Sequence, residues 1–168
     1  TASFYCLGRS ASSDYFPQLS AQTHFVVSET AIGQTRDLDL KKERELSELK
    51  TIASLKSGPL FGLALSLPLI AAGHETWVPQ ARRVASCLGL GYQLLDDLND
   101  RAADRLRKGD ANIVNALEEK VGAEEAVHVA RLEARELLTE ARRLASMLPG
   151  GCGRAIVDMV RSLEGKAG

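Results

Sequence analysis

Residues 89–100 constrain the fold most strongly, because their spacing is typical of an α-helix. At about 100° per residue, one narrow sector of such a helix contains Gly89, Gln93, Asp96 and Asp100, and Asp97 lies just beside it. The opposite side is apolar and contains Leu88, Leu94, Leu95 and Leu98. The sequence therefore predicts an amphipathic helix that buries one face and carries a strip of carboxylates on the other.

This carboxylate strip indicates a compensating cation. Like charges at i,i+4 destabilise a helix by about a few tenths of a kcal/mol, and by more when they line a cavity. Oxygen ligands on a rigid helix suit Mg²⁺, which takes one or two carboxylates together with water and phosphate oxygens. The alternative is a solvated acidic helix face. Gly89 and Gln93 on the same face make that alternative less favourable, because solvation requires neither residue.

The rest of the chain also carries helical signals and lacks strand signals. Helices are predicted at about residues 18–31, 58–73, 80–102, 111–120, 123–148 and 154–163, with a short loop at 104–110. There are no alternating β-branched runs and no Asn-Gly hairpins. We therefore predict an all-α fold with antiparallel helices around one core.

Two further segments call for an interpretation. Residues 58–73 contain no charge and are interrupted by Pro68, so they predict a fully buried core helix rather than a membrane span. Lys56 stands just before this helix, where its ammonium either reaches solvent or meets an anion. The charged run 37–50 predicts a solvated helix face or a helix-loop junction, with Asp37 as the member that points inward.

Composition excludes several classes of protein. The chain has 168 residues, 26% charged residues and a net charge of −1, which is typical of a globular domain and not of a nucleic-acid-binding one. Its three cysteines are far apart and in no C-x-x-C spacing, so the sequence predicts neither a disulfide framework nor a zinc site. A reducing cytoplasm is the simplest location.

Three motifs together resemble those of one enzyme family. Residues 88–100 read Leu-Gly-x-Gly-Tyr-Gln-x-x-Asp-Asp-x-x-Asp, residues 33–38 read Gly-Gln-x-x-Asp-Leu, and residues 56–61 read Lys-Ser-Gly-x-Leu-Phe. In order and approximate separation they resemble the C-terminal motifs of the trans-prenyltransferases, the polyprenyl or geranylgeranyl diphosphate synthases, over about residues 20–148. The resemblance implies an incomplete isoprenoid-synthase-type antiparallel helical bundle, with residues 1–168 as the C-terminal part of a single helical domain.

The resemblance also implies a reaction and a set of site residues. The reaction is the Mg²⁺-dependent condensation of an allylic diphosphate with isopentenyl diphosphate. The implied catalytic residues are Lys56, Ser57 and Gln93. The implied substrate-binding residues are Gln34, Lys56, Lys108 and Tyr92, of which Tyr92 replaces the usual Phe. The implied metal-binding residues are Asp96, Asp97 and Asp100. A homodimer, or a heteromer with a homologous subunit, would be the assembly.

The sequence departs from this family in two places. The first D-D-x-x-D motif and the Arg pair of the N-terminal half are absent from these residues, and Asp37 and Asp39 cannot replace them because i,i+2 acids point to different sides of a helix. Asp110 stands where a second lysine is expected. An alternative function is therefore a non-catalytic partner subunit or pseudoenzyme. A plain helical interaction domain and a terpene cyclase are weaker alternatives.

Overall fold

The computed structural model describes residues 14–39, 44–106 and 112–164, and within these ranges it contains helices and no strands. The helices are α1 (Phe16–Leu38), α2 (Leu46–Ala71), α3 (Val78–Leu106), α4 (Ile113–Val121), α5 (Ala123–Ser146) and α6 (Arg154–Glu164). Short 3₁₀ turns lie at Glu75–Trp77 and Pro149–Gly151. The predicted all-α class is confirmed.

Helix α3 is the centre of the bundle. Its first half packs with the C-terminal half of α2, with α5 and with α6 around Leu69, Val84 and Leu138. Its second half packs with the start of α2, with α4 and with the first half of α5 around Leu94 and Val114. Helix α1 packs mainly against α2. The carboxylate strip therefore lies on the helix that packs in both halves of the core.

Three helix boundaries differ from those predicted. Helix α1 continues about two turns beyond residue 31, α2 begins at Leu46, and α3 continues to Leu106, so Asp104 is helical and not part of a loop. The extension of α1 rests on a tertiary contact. A Cβ on Gly33 would lie 2.7 Å from the carbonyl carbon of Leu55, so the bare glycine lets the last turns of α1 pack directly on the α2 backbone. Sequence periodicity does not report such a contact.

The uncharged segment 58–73 is only partly buried, which corrects the prediction of a fully buried helix. Leu65 and Leu69 are buried against α3, whereas Leu60 is 49% exposed. Within the described ranges, α2 alone has the length and composition of a membrane span, with a mean hydropathy of 1.3 and 39% of its most apolar window buried. Core helices of soluble proteins have the same properties, so α2 is no clear membrane span.

The crossing of α2 and α3 sets the geometry of the site. A Cβ on Gly89 would lie 2.7 Å from both the Cα and the backbone nitrogen of Gly58, so the two backbones touch where these glycines meet. One helical turn farther along α3 lies Gln93, followed by Asp97. The glycine contact thus places the carboxylate-bearing half of α3 beside Lys56 of α2.

Candidate functional site

Residues from all three sequence motifs meet at one place. The Nζ of Lys56 lies 2.8 Å from Oδ2 of Asp37, and the two side chains are 26% and 18% exposed. Both residues line a small cavity together with Gln93 and Asp97. Lys56 thus meets an anion, and Asp37 points toward α2 as predicted. The structure brings together segments that the sequence only places in order.

Asp97 is a buried structural carboxylate. Its side chain is 4% exposed, and it accepts a hydrogen bond from Gln93 Nε2 at 2.9 Å on Oδ1. Its Oδ2 accepts a second hydrogen bond from the backbone N–H of Ile113 at 2.6 Å. Each carboxylate oxygen therefore already has a partner within the protein, and Asp97 faces α4 rather than the strip. This placement counts against Asp97 as a direct metal ligand.

Burial raises the pKa of Asp97 from 3.8 to about 6, and the hydrogen bonds from Gln93 and Ile113 only partly oppose that rise. Because the pKa is higher in the folded than in the unfolded protein, this group favours folding most at low pH, and that contribution is lost as the pH rises through about 6. The ionised carboxylate then costs about 3 kcal/mol. Asp97→Asn should remove this dependence.

We therefore expect the difference in unfolding free energy between Asp97→Asn and the unmodified protein to shift by up to about 3 kcal/mol in favour of the variant between about pH 4 and pH 8. Urea denaturation at a series of pH values measures this difference. The control is Asp158→Asn on the exposed side of α6, which should show no such trend. Parallel curves for the two variants would contradict the assignment.

The two carboxylates left on the open side of α3 are those of Asp96 and Asp100, both exposed. Partial burial raises the pKa of Asp96, the charge of Asp100 raises it further, and Lys56 lowers it. The mutual repulsion means that a cation at this face would be favourable. The effect of Lys56 on this pKa shows that its ammonium lies near the carboxylate of Asp96.

These residues fit Mg²⁺ but do not form a closed cage for it. Within the described residues, no group of three or more His, Cys, Asp or Glu side chains has the arrangement of a metal site. Mg²⁺ commonly binds through one or two carboxylates and completes its octahedron with water and substrate phosphates. Asp96 and Asp100 supply that kind of partial oxygen donor set.

The structure also places the other predicted residues. Gln34 lies on the exposed side of α1, and Ser57 is half-buried next to Lys56. Tyr92 is half-buried and meets Phe61 edge-on, with ring centroids 6.4 Å apart. Lys108 lies outside the described residues. Of the predicted residues in the described ranges, Lys56, Gln93 and Asp97 line the small cavity.

Asn112 is a residue of this region that the sequence interpretation missed. Its Nδ2 donates to the backbone oxygen of Asp97 at 3.0 Å and to Oδ2 of Asp104 at 2.7 Å. Its Oδ1 accepts from the backbone N–H of Asn115 at 2.9 Å and so caps α4. An Asn directly before the apolar pair Ile113–Val114 is a helix-start signal that could have identified the cap, but not its bonds to α3.

Comparison with known proteins identifies the family. A sequence model described as polyprenyl synthetase matches residues 2–135. The chain belongs to the polyprenyl synthetase family. The resemblance drawn from the three motifs is thereby confirmed at the level of the family. No curated protein gave a significant match.

Two solved structures show the same fold. A geranylgeranyl pyrophosphate synthetase from the archaeon Geoglobus acetivorans is similar with a TM-score of 0.78 at 24% identity, over 95% of this chain and 61% of its own. An isoprenoid synthase family member from Thermotoga neapolitana is similar with a TM-score of 0.62 at 20% identity, over 88% of this chain and 52% of its own. The isoprenoid-synthase fold is confirmed, and this chain spans about three fifths or less of either protein.

Proposed function

We propose that this polyprenyl synthetase chain contributes to Mg²⁺-dependent prenyl transfer, in which an allylic diphosphate condenses with isopentenyl diphosphate. The observation that carries the proposal is the meeting of three motif segments at Lys56, which pairs with Asp37 and acts electrostatically on Asp96. This arrangement combines a cation, an open pair of carboxylates and buried polar groups. Such a combination suits a reaction in which a diphosphate departs from carbon.

Asp96 and Asp100 would hold Mg²⁺, which supplies charge neutralisation for the departing diphosphate. Asp97 would support them from behind by anchoring α3 to α4 through Ile113. Lys56 would bind a diphosphate oxygen, because its ammonium is adjacent to the carboxylate face and is only partly buried. To do so it would exchange Asp37 for the substrate. Gln34 and Lys108 are further proposed contacts to diphosphate.

The remaining roles concern the reacting carbon and the hydrocarbon chain. Ionisation of the allylic C–O bond yields a carbocation and pyrophosphate, the isopentenyl double bond then attacks the cation, and a proton is lost. Ser57 and Gln93 would face the carbocation, and Tyr92 would line the site above Phe61. At 100° per residue, Leu60 and Leu67 follow Lys56 on one side of α2. This apolar side suits a prenyl tail.

An elongation assay tests the proposal. The purified chain is incubated with geranyl diphosphate, labelled isopentenyl diphosphate and Mg²⁺, and extraction of longer labelled prenyl products is expected. Chelation by excess EDTA should abolish the product, and readdition of Mg²⁺ should restore it. Absence of product under all conditions, together with no Mg²⁺-dependent binding of pyrophosphate, would contradict the proposed function.

A second candidate is a non-catalytic partner subunit. The sequence feature behind this candidate is that the first aspartate-rich motif is not among these residues. Mg²⁺-dependent pyrophosphate binding without elongation, and recovery of elongation with a homologous subunit, would support this candidate. A homodimeric or heteromeric assembly and a cytoplasmic location belong to the same set of proposals.

A further inference from the structure

We propose that Asp97 is a positioning residue that orients the side-chain amide of Gln93 so that the oxygen, and not the nitrogen, of Gln93 faces the cavity beside Lys56. The role of that oxygen in catalysis rests on the proposed function. The orientation itself rests only on the geometry around Asp97. Asp97 would therefore act by orienting Gln93 and not by binding the metal held by Asp96.

Both oxygens of the Asp97 carboxylate accept hydrogen bonds. Oδ2 accepts from the backbone N–H of Ile113 at 2.6 Å, so this oxygen is directed at the first turn of α4. The backbone oxygen of Asp97 accepts from Asn112 at 3.0 Å, which fixes the main chain as well. Oδ1 is consequently the oxygen that faces Gln93, at 2.9 Å from Nε2.

Gln93 Nε2 donates to Oδ1, so the nitrogen is the atom of the amide that faces Asp97. The amide is planar, and its oxygen therefore points away from Asp97. Within the described part of the chain, the Gln93 side chain makes no other hydrogen bond. Its oxygen is thus available as an acceptor.

The cavity lined by Gln93 contains one positive charge, that of Lys56, together with the carboxylates of Asp37 and Asp97. Lys56 and Asp37 also line it, and its volume of about 10 Å³ leaves room for about one water molecule. An amide oxygen carries partial negative charge, so it stabilises an ammonium or a carbocation nearby, whereas an N–H₂ group there would oppose it. The orientation of the Gln93 amide therefore determines whether the residue stabilises or destabilises a nearby positive charge.

An asparagine at position 97 would reverse this direction. Its oxygen would still be held by the Ile113 N–H, so its N–H₂ group would face Gln93. Gln93 would then have to present its oxygen to residue 97 and its nitrogen to the cavity. Because burial of a carboxylate costs free energy that an asparagine avoids, stability alone does not explain an aspartate at this position.

Three variants test this inference at about pH 8: Asp97→Asn, Gln93→Glu, and the double variant. In the double variant the hydrogen bond between the two side chains is kept with donor and acceptor exchanged, and an oxygen faces the cavity again. The first readout is NMR of ¹⁵N-labelled side-chain amides, in which the Gln93 signal is assigned by its loss in Gln93→Glu. It needs no turnover and so can succeed where the proposed function fails.

We expect the Gln93 amide protons to be shifted downfield and protected from solvent exchange in the unmodified protein, and to lose both properties in Asp97→Asn. In elongation assays, kcat of Asp97→Asn should fall by about 10–100-fold, the size of effect that follows loss of a hydrogen-bond partner behind a metal-ligating residue, with little change in KM. The double variant should recover most of that loss.

An unchanged Gln93 signal in a folded Asp97→Asn protein would overturn the inference, and so would a double variant less active than both single variants. If Asp97 had only a structural role, the double variant would not recover activity, because the losses from the two substitutions would add. Thermal denaturation of each variant verifies folding. If the unmodified chain does not elongate prenyl chains, the NMR result alone decides the orientation.

Discussion

Replacing Lys56 by Met is expected to weaken Mg²⁺-dependent binding of pyrophosphate by about 10–100-fold, the range for loss of one charge-assisted hydrogen bond. Lys56 lies close enough to the open carboxylates for its charge to lower the pKa of Asp96. Isothermal titration calorimetry with pyrophosphate, with and without Mg²⁺, measures the effect. Elongation should fall at least as much.

The chain offers a matched control in Lys50, which lies on the same helix. Lys50 pairs with Glu133 at 2.6 Å and is 29% exposed, compared with 26% for Lys56. Lys50→Met therefore removes a lysine of similar burial and pairing that does not face the site. Its pyrophosphate affinity should be unchanged. Equal pyrophosphate affinities for the two variants would contradict the proposal that Lys56 binds diphosphate.

Replacing Gly89 by Ala is expected to lower the free energy of unfolding by about 3 kcal/mol, the upper part of the usual range for overpacking. The new Cβ would lie 2.7 Å from backbone atoms of Gly58, which cannot move aside as a side-chain terminus can. Helices α2 and α3 would have to separate where they cross. Because that crossing places Asp96 relative to Lys56, pyrophosphate binding should also weaken.

Gly91→Ala is the comparison for this change, because it lies on the same helix and gains the same helix propensity of about 1 kcal/mol. Its Cβ would lie 3.1 Å from the Leu138 side chain and 3.3 Å from Cβ of Leu137, so these neighbours need to shift by only a few tenths of an ångström. Urea denaturation of both variants should show the larger loss at Gly89. Similar midpoints would mean that the glycine contact with Gly58 does not limit the helix crossing.

The spacing of apolar residues was sufficient to predict the fold class, and the resemblance carried by three motifs indicated the family. Hydrophobic periodicity is a local property, so the helices around Leu94 and Leu138 could be read from neighbours three and four positions away. The motif residues Lys56 and Asp96 could likewise be named from type and order. The family match at residues 2–135 confirmed that interpretation.

The predicted strip treated Asp96, Asp97 and Asp100 as one group, and the structure separates them. Asp97 is 4% exposed because α4 packs against that side of α3 and donates the Ile113 N–H to it. The helical angle between Asp96 and Asp97 is only about 100°, so spacing alone does not decide which of the two a neighbouring helix covers. Their different burial depends on the position of α4.

The extension of α1 and the helical state of Asp104 have the same kind of cause. Gly33 is a weak helix former by itself, yet it lies within α1 because its missing side chain permits contact with Leu55. The carboxylate of Asp104 in α3 accepts a hydrogen bond from the side-chain amide of Asn112, which precedes α4. In both cases a tertiary contact overrides a local preference.

By itself, then, the sequence determined that this polyprenyl synthetase chain is helical, that α3 carries carboxylates on one face, and which motifs accompany them. Only the tertiary structure decided that Lys56 pairs with Asp37, that Asp97 is buried and bonded to α4, and that Asp96 stays open. The physical reason is the distance along the chain over which each kind of interaction acts. Periodicity and motif spacing act within a few residues, whereas burial and pairing depend on backbones that approach one another at Gly58 and Gly89.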